Sequence, residues 1–102
     1  MSEHRKHPRK SVELPVAFQS GGGPLVEATC RDIGLGGMFV ETDQPAPYGS
    51  KVTVYCELPG LSNDAEIEGT VQWVKKGVGM GVQFGVMGAR ETHALIELVK
   101  RA

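Results

Sequence analysis

Alternation of apolar and polar residues with a period of two runs through most of the chain, and this feature most limits the folds open to it. Apolar residues occupy every second position in VELPVAFQ, and KVTVYCELP repeats the pattern. Successive side chains of a β-strand point to opposite faces, so such a segment buries one face and exposes the other. Six segments of this kind follow one another between turn signals, which predicts an all-β fold, a small six-stranded antiparallel barrel.

The alternation also assigns side chains to faces. Pro15 removes a ladder donor, which indicates an edge position or a bulge in the first strand. The last strand, GVGMGVQFGV, has one face made of Gly77, Gly79, Gly81 and Gly85, which indicates close approach by a neighbouring segment of the chain or by a ligand. Inward residues are predicted for five of the six strands, all but MFVET: Val12, Leu14, Val16, Phe18, Val26, Ala28, Cys30, Val52, Val54, Cys56, Leu58, Ile67, Val71, Trp73, Val78, Met80, Val82, Phe84 and Val86.

The end of the chain changes to a helical period. After Gly88, the segment ARETHALIELVKRA places Leu95, Ile96 and Val99 on one narrow stripe, which predicts a C-terminal helix packed on the barrel or closing one of its ends. A chain of 102 residues has room for a single domain with one modest core. We therefore assign residues 12–102 to the barrel with its helix, and residues 1–11 to a flexible basic arm.

Charge is divided unevenly between these two parts. Residues 1–10 contain four basic residues and one acidic residue, a net charge of +3, whereas residues 11–102 contain seven and eleven, a net charge of −4. Binding to DNA or to long nucleic acids requires a basic surface that spans many phosphates, which this acidic body does not offer. A small, compact anion is the better match to the short basic arm.

Several classes of function are disfavoured by what the sequence lacks. No apolar run approaches the ~20 residues that span a bilayer, and the N-terminus is charged where a signal peptide is apolar, so we expect a cytoplasmic protein of bacterial type. Cys30 and Cys56 have no metal-binding spacing and fall on inward positions, as expected of buried, reduced cysteines. No nucleophile motif and no cluster of metal ligands is evident, so we expect neither an enzyme nor a metal site, and no cofactor.

Two short segments carry candidate binding chemistry. In HRKHPRK, Arg5 and Arg9 are four residues apart, and each guanidinium is a planar fork of donors suited to phosphate or to a base. In RDIGLGG, the Asp32 carboxylate can accept the N–H edge of a guanine, and the glycines allow a tight turn whose N–H groups could face an anion. Each segment also has an ordinary explanation, a solvated tail and a hairpin turn.

In combination the two segments resemble the PilZ domain family. The family pattern is Arg-x-x-x-Arg entering the first strand, followed by [Asp/Asn]-x-Ser-x-x-Gly. RKHPR supplies Arg5 and Arg9, while DIGLGG supplies Asp32 and Gly37. The later segments VQWV and GMGVQF also resemble the closing strands of the family, so the resemblance spans nearly the whole chain.

The resemblance implies binding of cyclic di-GMP, a bacterial second messenger with two phosphates and two guanines. Arg5 and Arg9 would contact phosphate and guanine, Asp32 would bind a guanine edge, and Gly37 would allow the turn. Further contacts could come from Lys6, Lys10 and Arg31. Gly34 departs from the pattern because the family has serine there, and the missing hydroxyl removes a hydrogen bond of ~1.5–3 kcal/mol.

Two hypotheses for function follow. In the first, the chain is a cyclic di-GMP receptor whose arginine arm becomes ordered on binding and whose changed surface is recognised by an unidentified partner protein. In the second, it is a PilZ-like adaptor that has lost strong nucleotide binding. The arginine pair favours the first and Gly34 favours the second. A basic-armed binder of RNA or membrane lipid is a weaker third, and a homodimer is compatible with the sequence without being indicated by it.

Overall fold

The computed structural model describes residues 9–100 and forms a closed barrel of six strands followed by one helix. The strand order around the barrel is β1-β2-β3-β6-β5-β4, with β4 pairing back to β1, and every pair is antiparallel. The predicted fold class is therefore confirmed. The elements are β1 (Arg9–Ser20), β2 (Val26–Gly34), β3 (Gly37–Glu41), β4 (Lys51–Cys56), β5 (Ala65–Lys75), β6 (Gly79–Phe84) and α1 (Ala89–Lys100).

The first strand begins earlier than the apolar pattern indicated. Arg9, Lys10 and Ser11 pair with Gly34, Ile33 and Asp32 of β2, so these three residues belong to the sheet. Pro15 lies where β1 pairs with β2 alone, because pairing with β4 starts at Val16. This is the edge position that the missing N–H of proline requires.

The barrel interior holds the core that the alternation predicted for most strands. Val16 and Phe18 of β1, Cys30 of β2 and the inward residues of β4 are buried, and both cysteines are free. The glycine-rich β1–β2 connection forms a turn closed by a bond from Gly23 N–H to the Ser20 carbonyl. Regular alternation is thus sufficient to specify the core where strands pair without interruption.

Three of the predicted inward residues are exposed. Trp73 is on the outer surface, because a bulge in β5 shifts the register between Val71 and Trp73 and so reverses the alternation. Val78 precedes β6 in the β5–β6 turn, and Val86 follows the end of β6 and is 99% exposed. Both valines lie outside the paired part of the strand, where no neighbouring strand imposes a face.

The helix α1 packs against the barrel through Ala94 and Leu95, both buried, while Ile96 and Val99 are half-buried. It follows β6 after a short segment and contacts β2 and β5. Within residues 9–100, no helix has both the length and the apolar character needed to cross a bilayer.

Candidate functional site

The two predicted segments meet on the outer surface of the barrel. Arg9 begins β1, Asp32 lies in β2, and the Arg9 Nε atom donates to the Asp32 Oδ1 atom at 2.6 Å. The two side chains are 27% and 30% exposed, so the pair is accessible to a ligand. Within residues 9–100, this contact to Asp32 is the hydrogen bond that the guanidinium makes.

A bulge in β2 gives Asp32 its outward direction. Cys30 pairs with Val40 and Asp32 pairs with Phe39, so Arg31 is an extra residue without a partner in β3. Arg31 and Asp32 therefore both lie on the outer side of the sheet, and the buried positions resume at Ile33. Strict alternation after Cys30 would have directed the carboxylate into the core.

A row of residues at one level crosses four strands beside this ion pair. Asp32 pairs with Phe39, Phe39 with Gly81, and Gly81 with Trp73. The Phe39 and Trp73 rings stack with centroids 5.3 Å apart and an angle of 17° between planes. We call the outer surface formed by Asp32, Phe39, Gly81 and Trp73, together with Arg9, the site wall.

Glycines make the aromatic stack possible. A Cβ atom on Gly81 would collide with the Trp73 indole, and one on Gly79 would collide with Phe39 and the Val40 carbonyl. At Gly79 and Gly81 the glycine face is therefore covered by side chains of the same chain, the first of the two explanations that the sequence left open, whereas a Cβ atom on Gly77 would meet nothing within 4 Å. Trp73 remains 46% exposed, so its free face is available for stacking by a base.

A groove of about 240 Å³ lies between the arginine and the tryptophan. Its lining includes Arg9, Gly36, Gly37, Trp73, Gly81 and Gln83. Gly37 has no room for a side chain, because a Cβ atom would collide with the Val82 carbonyl. The expected reason for this glycine, a turn conformation, is not the operative one, since the φ angle of Gly37 is not positive. Close approach of β6 accounts for it.

The other predicted site residues are placed differently. Gly34 is buried and pairs with Arg9, whereas Lys10 is half-buried and does not line the groove. Arg31 forms ion pairs with Glu13 at 3.6 Å and Glu41 at 3.5 Å. These contacts hold Arg31 away from the groove. Arg5 and Lys6 lie outside the described residues, and their predicted roles stay predictions.

Sequence reasoning missed Trp73, Phe39 and Gln83 as candidate binding residues. The glycines opposite them were the available signal, because Gly79 and Gly81 marked a surface that something covers. The bulge that turns Trp73 outward has no signature in the local sequence. Among residues 9–100, no group of three or more side chains could hold a metal ion.

Comparison with known proteins adds family and fold. The family model described as PilZ domain matches residues 3–101. No functionally curated protein matches the chain significantly. Among solved structures, the inhibitor of motility MotI/DgrA of Bacillus subtilis superposes with a TM-score of 0.77 at 18% identity, over 99% of this chain and 55% of that one.

Two further structures have the same fold. The PilZ domain of CeSA from a cellulose-synthesizing bacterium gives a TM-score of 0.71 at 20% identity, over 90% of this chain and 94% of that one. PlzA of Borreliella burgdorferi, solved in complex with c-di-GMP, gives 0.73 at 14% identity, over 95% of this chain and 41% of that one. The chain thus spans about half the length of MotI/DgrA and less than half of PlzA.

Proposed function

Because this chain belongs to the PilZ domain family, we propose that it binds cyclic di-GMP in the groove between Arg9 and Trp73. The observation that carries the proposal is the 2.6 Å contact between Arg9 and Asp32, which joins two residues 23 positions apart beside an exposed aromatic ring. The complex of PlzA with c-di-GMP supports it, since that protein has the same fold.

The chemistry of the site wall suits a guanine nucleotide. The terminal nitrogens of the Arg9 guanidinium can donate to phosphate or to the acceptor edge of a guanine. The Asp32 carboxylate can accept from the N–H edge of the same base. The exposed face of Trp73 can stack on a purine, an interaction of ~1–3 kcal/mol for each base. One anionic ligand with planar bases would therefore use all three side chains.

Signal output is the finer part of the proposal. We infer that the ligand orders the arm that contains Arg5, and that a partner protein recognises the result in the cytoplasm. The role is binding and regulation without catalysis. The alternative is a ligand-independent adaptor: Gly34 lacks the hydroxyl of the family serine, and the inhibitor of motility MotI/DgrA has the same fold at 18% identity.

Calorimetric titration of cyclic di-GMP at physiological salt tests the proposal. We expect binding with a Kd in the micromolar range or below, accompanied by a change in emission of Trp73, the only tryptophan of the chain. Absence of heat at high micromolar ligand would reject the receptor function and favour the adaptor.

Substitution of Arg9 provides the specificity control. Arg9→Ala should weaken binding by ~10- to 100-fold, because a hydrogen bond to a charged group contributes ~1.5–3 kcal/mol. Unfolding free energy should change by less than ~1 kcal/mol, since the Arg9–Asp32 pair is partly exposed. Arg90→Ala, an exposed arginine on α1, is the matched control and should leave the affinity unchanged.

A serine at position 34 tests the departure from the family pattern. Gly34→Ser should tighten binding about tenfold if the missing hydroxyl limits the affinity. Unchanged affinity would mean that a backbone N–H or a water already supplies that bond. Tight binding by the unchanged chain would, by contrast, disfavour the adaptor whichever result the serine variant gives.

A further inference from the structure

Cys30 lies directly beneath the site wall. Its side chain is fully buried in the barrel interior, and its Sγ atom donates to the backbone carbonyl of Asp32 at 3.4 Å. This contact connects the core to the residue whose carboxylate holds Arg9 on the outer surface. The Cys30 thiol therefore makes a hydrogen bond in addition to filling space in the core.

The carbonyl that accepts this bond belongs to the β2 bulge. Register is lost between Cys30 and Asp32, because Arg31 has no partner in β3. Asp32 itself is paired with Ser11 of β1 and with Phe39 of β3, and a backbone carbonyl has a second lone pair that can accept a further hydrogen bond. The Cys30 S–H group donates to this carbonyl from two residues away in the same strand, so the bond spans the bulged residue Arg31.

We propose that Cys30 is a positioning residue of the binding site: its thiol fixes the β2 bulge and thereby aims the Asp32 carboxylate outward at Arg9. What the positioned carboxylate binds rests on the function proposed above. The bulge geometry itself does not, so the two can be tested separately.

The ionisation state of the thiol is consistent with this role. Burial raises the pKa of Cys30 to about 11, so the sulfur keeps its proton and remains a donor throughout the physiological range. Cys56 is also buried and free, and burial raises its pKa to about 12. In contrast to the Cys30 thiol, the Cys56 thiol makes no hydrogen bond within the described part of the chain, so Cys56 is a suitable control.

Ligand affinity of matched cysteine variants provides the first test. Cys30→Ala and Cys56→Ala remove the same atom from the same core and should lower the urea midpoint by similar amounts. The Kd for cyclic di-GMP should rise about three- to tenfold in Cys30→Ala and stay within twofold in Cys56→Ala. Cys30→Ser, which restores a donor, should recover most of the affinity. Equal effects of the two alanine variants on Kd would overturn the proposal.

A measurement without ligand separates this inference from the proposed function. The NMR signal of the Arg9 Nε–H group should shift toward that of a solvated arginine in Cys30→Ala, because Asp32 is no longer held against it. Cys56→Ala should leave the signal in place. An unchanged Arg9 signal in Cys30→Ala would overturn the positioning role, even if the unchanged chain binds cyclic di-GMP.

If Cys30→Ala does not fold, Cys30→Val replaces it, with Cys56→Val as its control, since valine fills the volume of the thiol but cannot donate. A retained Arg9 signal in Cys30→Val would contradict the proposal in the same way. A chain that binds no cyclic di-GMP but loses the Arg9 signal in either Cys30 variant would keep the positioning role and reject the proposed ligand.

Discussion

The two sides of the barrel obey the alternation rule to different degrees. The side formed by the C-terminal half of β1, by β4 and by the start of β5 pairs without a register shift, and its alternate residues Phe18, Val54 and Ile67 are all buried. We call it the regular wall. The site wall contains one bulge in β2 and another in β5, each of which adds an outward residue, and β1 also shifts its register against β2 between Ser11 and Leu14.

This difference separates the residues that stabilise the core from those proposed to bind a ligand. On the regular wall, every second side chain enters the core, and the groove of about 540 Å³ on its outer side is lined, among the described residues, by no aromatic side chain and no arginine. On the site wall, the bulges at Arg31 and Gln72 bring Asp32 and Trp73 to the same face, at the level of Phe39 and Gly81. The irregular positions therefore bring a carboxylate and an aromatic ring to one outer face, and the proposed ligand site depends on them.

The largest expected effect comes from breaking the regular wall. Ile67→Ala should lower the free energy of unfolding by ~2–5 kcal/mol, because Ile67 is a fully buried aliphatic side chain. The site wall of the folded fraction should be unaffected, so Trp73 emission should keep its wavelength. Urea unfolding followed by circular dichroism and fluorescence measures both. Val74→Ala, an exposed position in the same strand, should change stability by less than ~0.5 kcal/mol, and an equal loss there would contradict the division between walls.

An intermediate effect is expected from crowding the site wall. Gly81→Ala places a methyl group where the Trp73 indole lies, so we expect the ring to leave Phe39 and stability to fall by ~1–3 kcal/mol. Tryptophan emission should shift to longer wavelength as the indole becomes solvated. Gly85→Ala is the control, since a Cβ atom there meets only the Glu68 carbonyl at 3.5 Å. An unchanged emission spectrum in Gly81→Ala would show that the stack does not depend on the glycine.

The smallest effect is the loss of unfolding free energy with each unit of rising pH, and it concerns the two buried thiols, one behind each wall. Burial raises the pKa of Cys30 to about 11 and that of Cys56 to about 12 from the ordinary value of 9.0, so the unfolded chain releases these protons first. Their contribution to stability is complete below pH 9 and is lost as the pH rises toward 11 and 12. Each thiol should lower the unfolding free energy by about 1.4 kcal/mol per pH unit in that window.

Urea titrations at pH 8.5, 9.5 and 10.5 measure this slope. Cys30→Ala and Cys56→Ala should each flatten it by a similar amount, because both sulfurs belong to the same dry core despite their different walls. Other titratable groups contribute equally to the slope in every variant, so their contributions cancel when the slopes are compared. A slope that neither substitution changes would show that thiol ionisation is not linked to unfolding.

Much of the fold was predictable, and particular residues show why. Val52, Val54, Cys56 and Leu58 are buried as their spacing indicates, because β4 pairs with β1 and β5 without interruption. Trp73 was placed wrongly because the local sequence VQWV is compatible with either face. Val86 was placed wrongly because alternation continues in the sequence beyond Phe84, where the sheet ends.

The candidate site was predictable only in its polar half. Arg9 and Asp32 were identified from two short motifs, and the structure brings their side chains into contact. The aromatic half, Phe39 and Trp73, could not be derived, because the two residues are 34 positions apart and meet only across β6. The ion pairs of Arg31 could not be derived for a similar reason, because Glu13 and Glu41 belong to two different strands.

The order of amino acids determined by itself the strand periods, the terminal helix, the buried cysteines and the identity of the charged residues, since these depend on neighbours a few positions away. Tertiary structure decided which face Asp32 and Trp73 occupy, because a bulge sets two residues of one strand against one residue of its partner and so exists only once the two strands have paired. The pairing register between distant strands is not encoded in any local sequence pattern, and this register brings Arg9 and Trp73 to the same groove.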